Sequence, residues 1–147
     1  MESKFWSRMF LAAAVFNFLM GGPIMLAPKG SYALAYIPLL TGDDAIALKF
    51  WADFGFSVLL IGVGYYLVSR DVTKNHSIVW LGVFAKLFDV IVLSYRFAIG
   101  VAKALVIFPA VIDGVFVLLF VLFLYKTHQQ PLQLPREKLS CESTLKA

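Results

Sequence analysis

Apolar and polar residues are laid out in blocks along this chain. Four apolar runs occupy about 9–27, 45–68, 78–99 and 101–125. Each is close to the ~20 residues that a helix needs to cross a hydrocarbon layer. Short polar stretches separate them, including "SRDVTKNHS" after the second run and a very tight connection at Gly100 after the third. In lipid an open sheet edge leaves backbone groups unsatisfied, so the runs are expected as helices. The predicted fold class is all-α, an integral membrane four-helix bundle running up-down-up-down. Its domain spans 1–126 and is followed by a polar cytosolic tail, 127–147.

The first run follows Lys4 and Arg8, as the core of a signal peptide would. It is long for that purpose, and Met25-Leu26-Ala27 is a poor small-residue cleavage site, so it reads as a retained span. Asn17 falls near its centre, and Gly21-Gly22-Pro23 is expected to bend or end it. The segment 28–44 contains "SYALAYIPLL", apolar enough to lie on the interface or dip into the bundle. Thr41, Asp43 and Asp44 look like a helix start, where acidic groups complement the helix dipole.

Composition supports a lipid solvent. Of 147 residues, 61% are hydrophobic and 15% charged, against about half and a quarter in soluble domains. Mean hydropathy is +0.82. The net charge of +4 comes from basic residues gathered at the ends of apolar runs, a pattern of membrane orientation rather than of nucleic-acid binding. One side collects Lys4, Arg8, Arg70, Lys74, Lys126, Arg136, Lys138 and Lys146; the other has Lys29, Lys49, Arg96 and Lys103. The richer side is expected in the cytoplasm, with both termini there. Trp6, Trp51 and Trp80 fall near predicted span ends, at headgroup level. A lone cysteine, Cys141, excludes an intrachain disulfide.

The third run changes the picture. "LGVFAKLFDVIVLSYRFAIG" carries Lys86, Asp89 and Arg96. Three and seven positions apart on a helix, they form one polar stripe. Asp113 lies near the centre of the fourth run, and Asp53, with Ser57 one turn on, in the second. A charge facing lipid at mid-bilayer would cost roughly 2.5 to 3.5 kcal/mol. The economical arrangement turns Asn17, Asp53, Ser57, Lys86, Asp89 and Asp113 inward toward one another, with Arg96 above them. Those seven residues are the candidate ligand-binding set. Asp89, Asp113, Asp53 and Lys86 are the candidate catalytic groups. The same charges could instead hold helices in register, with Asn17 as hydrogen-bonding glue, or serve a proton or ion path.

Other chemistry is thin. His76 and His128 lie in polar segments, and no HExxH, CxxC, GxSxG or phosphate-loop pattern appears. No metal or cofactor site is read from the sequence. "ADFGFSVLLIGVGYYLVSR" and "VIDGVFVLLFVLFLYK" share an order of Asp, Gly, apolar, aromatic and basic residues. Two related hairpins or a chance match of apolar helices would both produce it.

Three stretches resemble the DoxX-like group of small bacterial four-helix membrane proteins: "FNFLMGGPIML", "GFSVLLIGVGYYLVSRD" and "WLGVFAKLF". The resemblance covers 9–125, is hydropathic, and carries over no catalytic residue. It implies a multi-pass protein of the bacterial inner membrane, in a group some of whose members look like quinone-linked subunits. The functional expectation is a buried charged pocket that binds a small lipophilic ligand, a quinone among them, or a membrane partner. A homodimer or partner subunit is included in that expectation. The alternatives are a membrane-embedded acid–base enzyme, of isomerase, cyclase or epoxide-opening type, and a proton-coupled carrier.

Overall fold

The computed structural model describes residues 2–36 and 44–128. Four long helices dominate: α1 (Glu2–Leu26), α3 (Ala45–Arg70), α4 (His76–Ala98) and α5 (Ile107–His128), with a short α2 (Pro28–Ala35) after α1. All four long helices have the length and apolarity to cross a membrane. Of the predicted tail, 127 and 128 close α5 and the rest lies outside the described residues; so do Thr41 and Asp43.

Two corrections concern helix ends. Gly21-Gly22-Pro23 does not end α1, which continues to Leu26, with Ala27 N–H donating to Pro23 O at 3.0 Å. The glycine serves contact with α3 instead. A Cβ on Gly21 would lie 2.7 Å from Gly55 O, and one on Gly55 would lie 2.6 Å from Met25 N. The two backbones therefore touch where neither residue has a side chain. The fourth apolar run also begins later than 101. Gly100 turns the chain at φ +74°, and an extended stretch follows, with Tyr36 and Ala102 forming an isolated antiparallel bridge. Lys103 N–H donates to Ala35 O at 2.9 Å. A 3-10 turn, Ala104–Val106, then leads into α5. Residues at 101–103 are taken by pairing with the end of α2 rather than by the helix.

Local chemistry fixes the other ends. Asp44 caps α3, its side chain accepting from Ala47 N–H at 3.2 Å. Asp71 ends α3 and organises the following turn, accepting from Thr73 N–H at 3.1 Å and Thr73 Oγ1 at 2.6 Å.

α1 packs most closely on α3, and α4 on α5. Contacts descend one helix as they climb the other: Ser7 Oγ donates to Ser69 O at 2.6 Å, Asn17 Nδ2 to Val58 O at 3.3 Å, and Gly21 meets Gly55. The main core is aromatic. Phe10 stacks on Phe120 at 5.0 Å, and Phe123 sets its edge to Phe10 at 5.1 Å and to Trp6 at 5.3 Å. Outside it, Phe50, Phe84, Phe88 and Leu118 stand exposed. This is a surface that water would penalise and lipid tails would not.

Candidate functional site

Lys86 is the centre of the site. It lies on the inner face of α4, only 3% exposed. Its ammonium donates to Asn17 Oδ1 on α1 at 3.1 Å and to Asp113 Oδ1 on α5. Asn17 is held in turn by donating to Val58 O on α3. Three rings close around the cation: Phe116 at 5.2 Å, Phe16 at 5.4 Å and Tyr65 at 5.6 Å from the ammonium to the ring centroids. Carboxylate, amide and ring faces together replace the water that the charge has lost. All four long helices thus meet around one ion pair, Lys86–Asp113.

Tyr65 is fully buried, and its hydroxyl has no hydrogen-bond partner among the described residues. Gly82 makes room for it: a Cβ there would lie 2.6 Å from Tyr65 Cε1 and 2.7 Å from its Oη.

A cavity of about 910 Å³ opens beside the ion pair. Asn17, Lys86 and Asp113 form its polar floor. Asp89, half-buried, stands on its wall one turn further along α4. No hydrogen bond from another described residue reaches the Asp89 carboxylate. Toward the far end the wall is aromatic, with Trp51 packed edge to face on Tyr32 at 5.8 Å and on Tyr36 at 5.5 Å. Trp51 is oriented by its Nε1 donating to Ser31 Oγ at 2.9 Å. Arg96 marks this end, donating to Tyr36 Oη at 2.6 Å.

The structure brings together Asn17, Lys86 and Asp113 in direct contact, and lines the same cavity with Asp89 and Arg96. Asp53 and Ser57 do not join them. Both are exposed, Ser57 Oγ donates back to Asp53 O at 3.0 Å, and neither lines the cavity. The reason lies in which face of α3 turns inward. Gly55 and Gly62 are pressed against α1, and Asp53 and Ser57 are each two positions from Gly55, about 200° around the helix. Asp53 is therefore removed from the candidate site.

Tyr65, Phe16, Tyr36 and Trp51 are site residues that reading for charge passed over. A signal for Tyr65 exists: it is three positions after Gly62 and shares the glycine face of α3. Tyr36 and Trp51 had none, since their meeting depends on α2 and the 101–103 crossing. Among the described residues, no group of three His, Cys, Asp or Glu side chains is placed to hold a metal.

Four apolar helices around a largely apolar cavity give the chain the build of a polytopic membrane protein. No protein-family model, curated protein or solved structure matches it.

Proposed function

We propose that this protein admits a small lipophilic molecule into the cavity between its helices. The carrying observation is the cavity itself: about 910 Å³, walled largely by apolar and aromatic side chains, with charged groups only at the Lys86–Asp113 floor, Asp89 and Arg96. Sites for small molecules have this make-up, an apolar body of some 300–1,000 Å³ with a few placed polar groups. Lys86 and Asp113 satisfy each other, so they act as a fixed polar floor. Asp89 is the acceptor left for a donor on the ligand.

The membrane reading extends this. The bundle runs up-down-up-down with both termini in the cytoplasm. Opposed contact order in α1 with α3, and Lys4, Arg8, Arg70, Lys74 and Lys126 at one end, support that orientation. Membership of the DoxX-like group and residence in a bacterial inner membrane are part of the same proposal and rest on the sequence resemblance. So does a quinone as one candidate occupant.

Asp89, whose carboxylate has no hydrogen-bond partner among the described residues, favours a second reading, acid–base catalysis on the bound molecule. Asp89 or Asp113 would give the proton, and Lys86 would steady the resulting anion.

The test is the content of the cavity. The protein is purified in mild detergent, extracted with organic solvent, and the extract compared by mass spectrometry with that of Ala85→Trp, which fills the cavity, and Asp53→Asn, which lies outside it. A small molecule retained by the wild type and Asp53→Asn and lost in folded Ala85→Trp is the expected result. Equal content in all three would remove the cavity from consideration. Asp89→Asn tests the second reading for Asp89, since a catalytic Asp89 gives a variant that still holds the molecule but no longer converts it.

A further inference from the structure

A second concavity lies away from the cavity, where α1 begins and α3 ends. It measures about 380 Å³ and is lined by Ser3, Lys4, Ser7 and Arg8 from α1, and by Ser69, Arg70, Asp71 and Val72 from α3 and its C-terminal turn. Lys4 and Arg8 are one helical turn apart and project from the same side of α1. Arg70 comes to them from the other helix because Ser7 Oγ donates to Ser69 O at 2.6 Å, tying the two ends together. All three cations are exposed.

Among the described side chains no ion pair balances their charge. Asp71 is the carboxylate on the notch, and it is already committed: Thr73 donates to it twice, and Lys74 Nζ lies 3.1 Å from it. Among the residues whose side chains are described, no carboxylate pairs with Lys4, Arg8 or Arg70. Arg70 makes one contact with a neutral group, donating to Tyr66 Oη at 3.2 Å. Three like charges gathered in a concave, serine-lined space form a place for an anion. Guanidinium groups suit phosphate in particular, because their paired N–H groups match its oxygens.

Depth identifies the anion's source. The notch sits at the ends of two candidate membrane spans. Just inward on the same two helices, Leu11, Val63 and Leu67 are exposed. A headgroup phosphate in the notch would have apolar surface directly beneath it for the acyl chains. A free phosphate would make no use of that surface. We infer that Lys4, Arg8 and Arg70 form a binding site for the headgroup of an anionic phospholipid, independent of the cavity around Lys86. Basic pockets between helix ends bind lipid headgroups by the same chemistry.

The experiment uses the full chain in detergent and follows its thermal unfolding as phosphatidylglycerol, phosphatidylcholine or inorganic phosphate is added. Phosphatidylglycerol is expected to raise the melting temperature, with phosphatidylcholine and inorganic phosphate giving no comparable rise. Arg8→Gln with Arg70→Gln should need about thirtyfold more phosphatidylglycerol for the same effect, about fivefold for each lost basic contact. Lys29→Gln with Lys49→Gln, which removes equal charge elsewhere, should respond as the wild type does. Equal responses of the wild type to the two lipids would overturn the site, and that comparison needs no variant to fold. So would equal loss in both double variants, which would mean diffuse charge attraction. An equal rise with inorganic phosphate would assign the notch to a free anion and overturn the lipid reading.

Discussion

Asp113 accepts the ammonium of Lys86 from a helix away, 27 positions along the chain, in a place where both side chains are almost wholly withdrawn from solvent. Neither group is tolerable there without the other. Removing one partner of a buried pair strands the survivor and typically costs about 3–5 kcal/mol, whereas replacing both by apolar groups is often neutral or better.

Lys86→Met and Asp113→Leu are therefore each expected to lose about 3 kcal/mol of stability. The double variant should lose far less than their sum. Chemical or thermal unfolding in detergent, arranged as a double-mutant cycle, reads the coupling directly. Additive losses would mean that the two residues do not depend on each other.

The glycines of α1 and α3 give a paired prediction. Gly55 faces Met25 N at 2.6 Å from a built Cβ, while Gly22 has nothing within 4 Å. Gly55→Ala must push two backbones apart and should cost about 1–3 kcal/mol. Gly22→Ala meets open space in a helix interior and should be neutral, or gain up to about 1 kcal/mol from helix propensity. The same melting experiment checks both. A reversed order would contradict the α1–α3 crossing.

Tyr65 and Gly82 should be coupled in the same way. Gly82→Ala drives a methyl into a fully buried ring, 2.6 Å from Tyr65 Cε1. A loss of about 1–3 kcal/mol is expected. Tyr65→Phe removes the hydroxyl, which has no partner among the described residues. An unsatisfied buried polar group destabilises, so its removal should be neutral or stabilising. It also removes the atom 2.7 Å from the added methyl, so the double variant should recover part of the Gly82→Ala loss. Strong destabilisation by Tyr65→Phe alone would instead reveal a partner for that hydroxyl.

How much of this was legible beforehand depends on the kind of feature. The four spans follow from run length alone, because lipid leaves helices as the means of satisfying every backbone group within one segment. Lys86, Asn17 and Asp113 were identifiable as inward-facing because each would be expensive anywhere else. Asp53 obeys the same logic and still faces outward. It lies in the first third of α3, on the side turned away from Gly55. The inward face of α3 was decided by its glycines rather than by its charge. The late start of α5 was not legible either. Val101 and Ala102 are as apolar as a span requires, and the pairing of Ala102 and Lys103 with the end of α2 is what takes this stretch out of the helix. Hydropathy cannot register a contact between segments some 65 positions apart.

The turn between α3 and α4 carries the pH prediction. The Asp71 carboxyl is held below its usual 3.8, down to about 2, first by the hydrogen bond from Thr73 Oγ1 and then by the one from Lys74, with the Thr73 N–H adding to both. A depressed carboxyl pKa adds stability that is complete above the unfolded value and disappears as pH falls through the folded one. The turn should therefore be indifferent to pH from 7 down to about 4, and lose the Asp71 interactions between about 4 and 2. A carbon-detected NMR titration of the carboxyl reads its midpoint directly. Thr73→Val should raise that midpoint more than Lys74→Met does, because the hydroxyl contributes the larger share. A wild-type midpoint near 3.8, or a larger rise from Lys74→Met, would show that the turn is not built around the Thr73 hydrogen bonds.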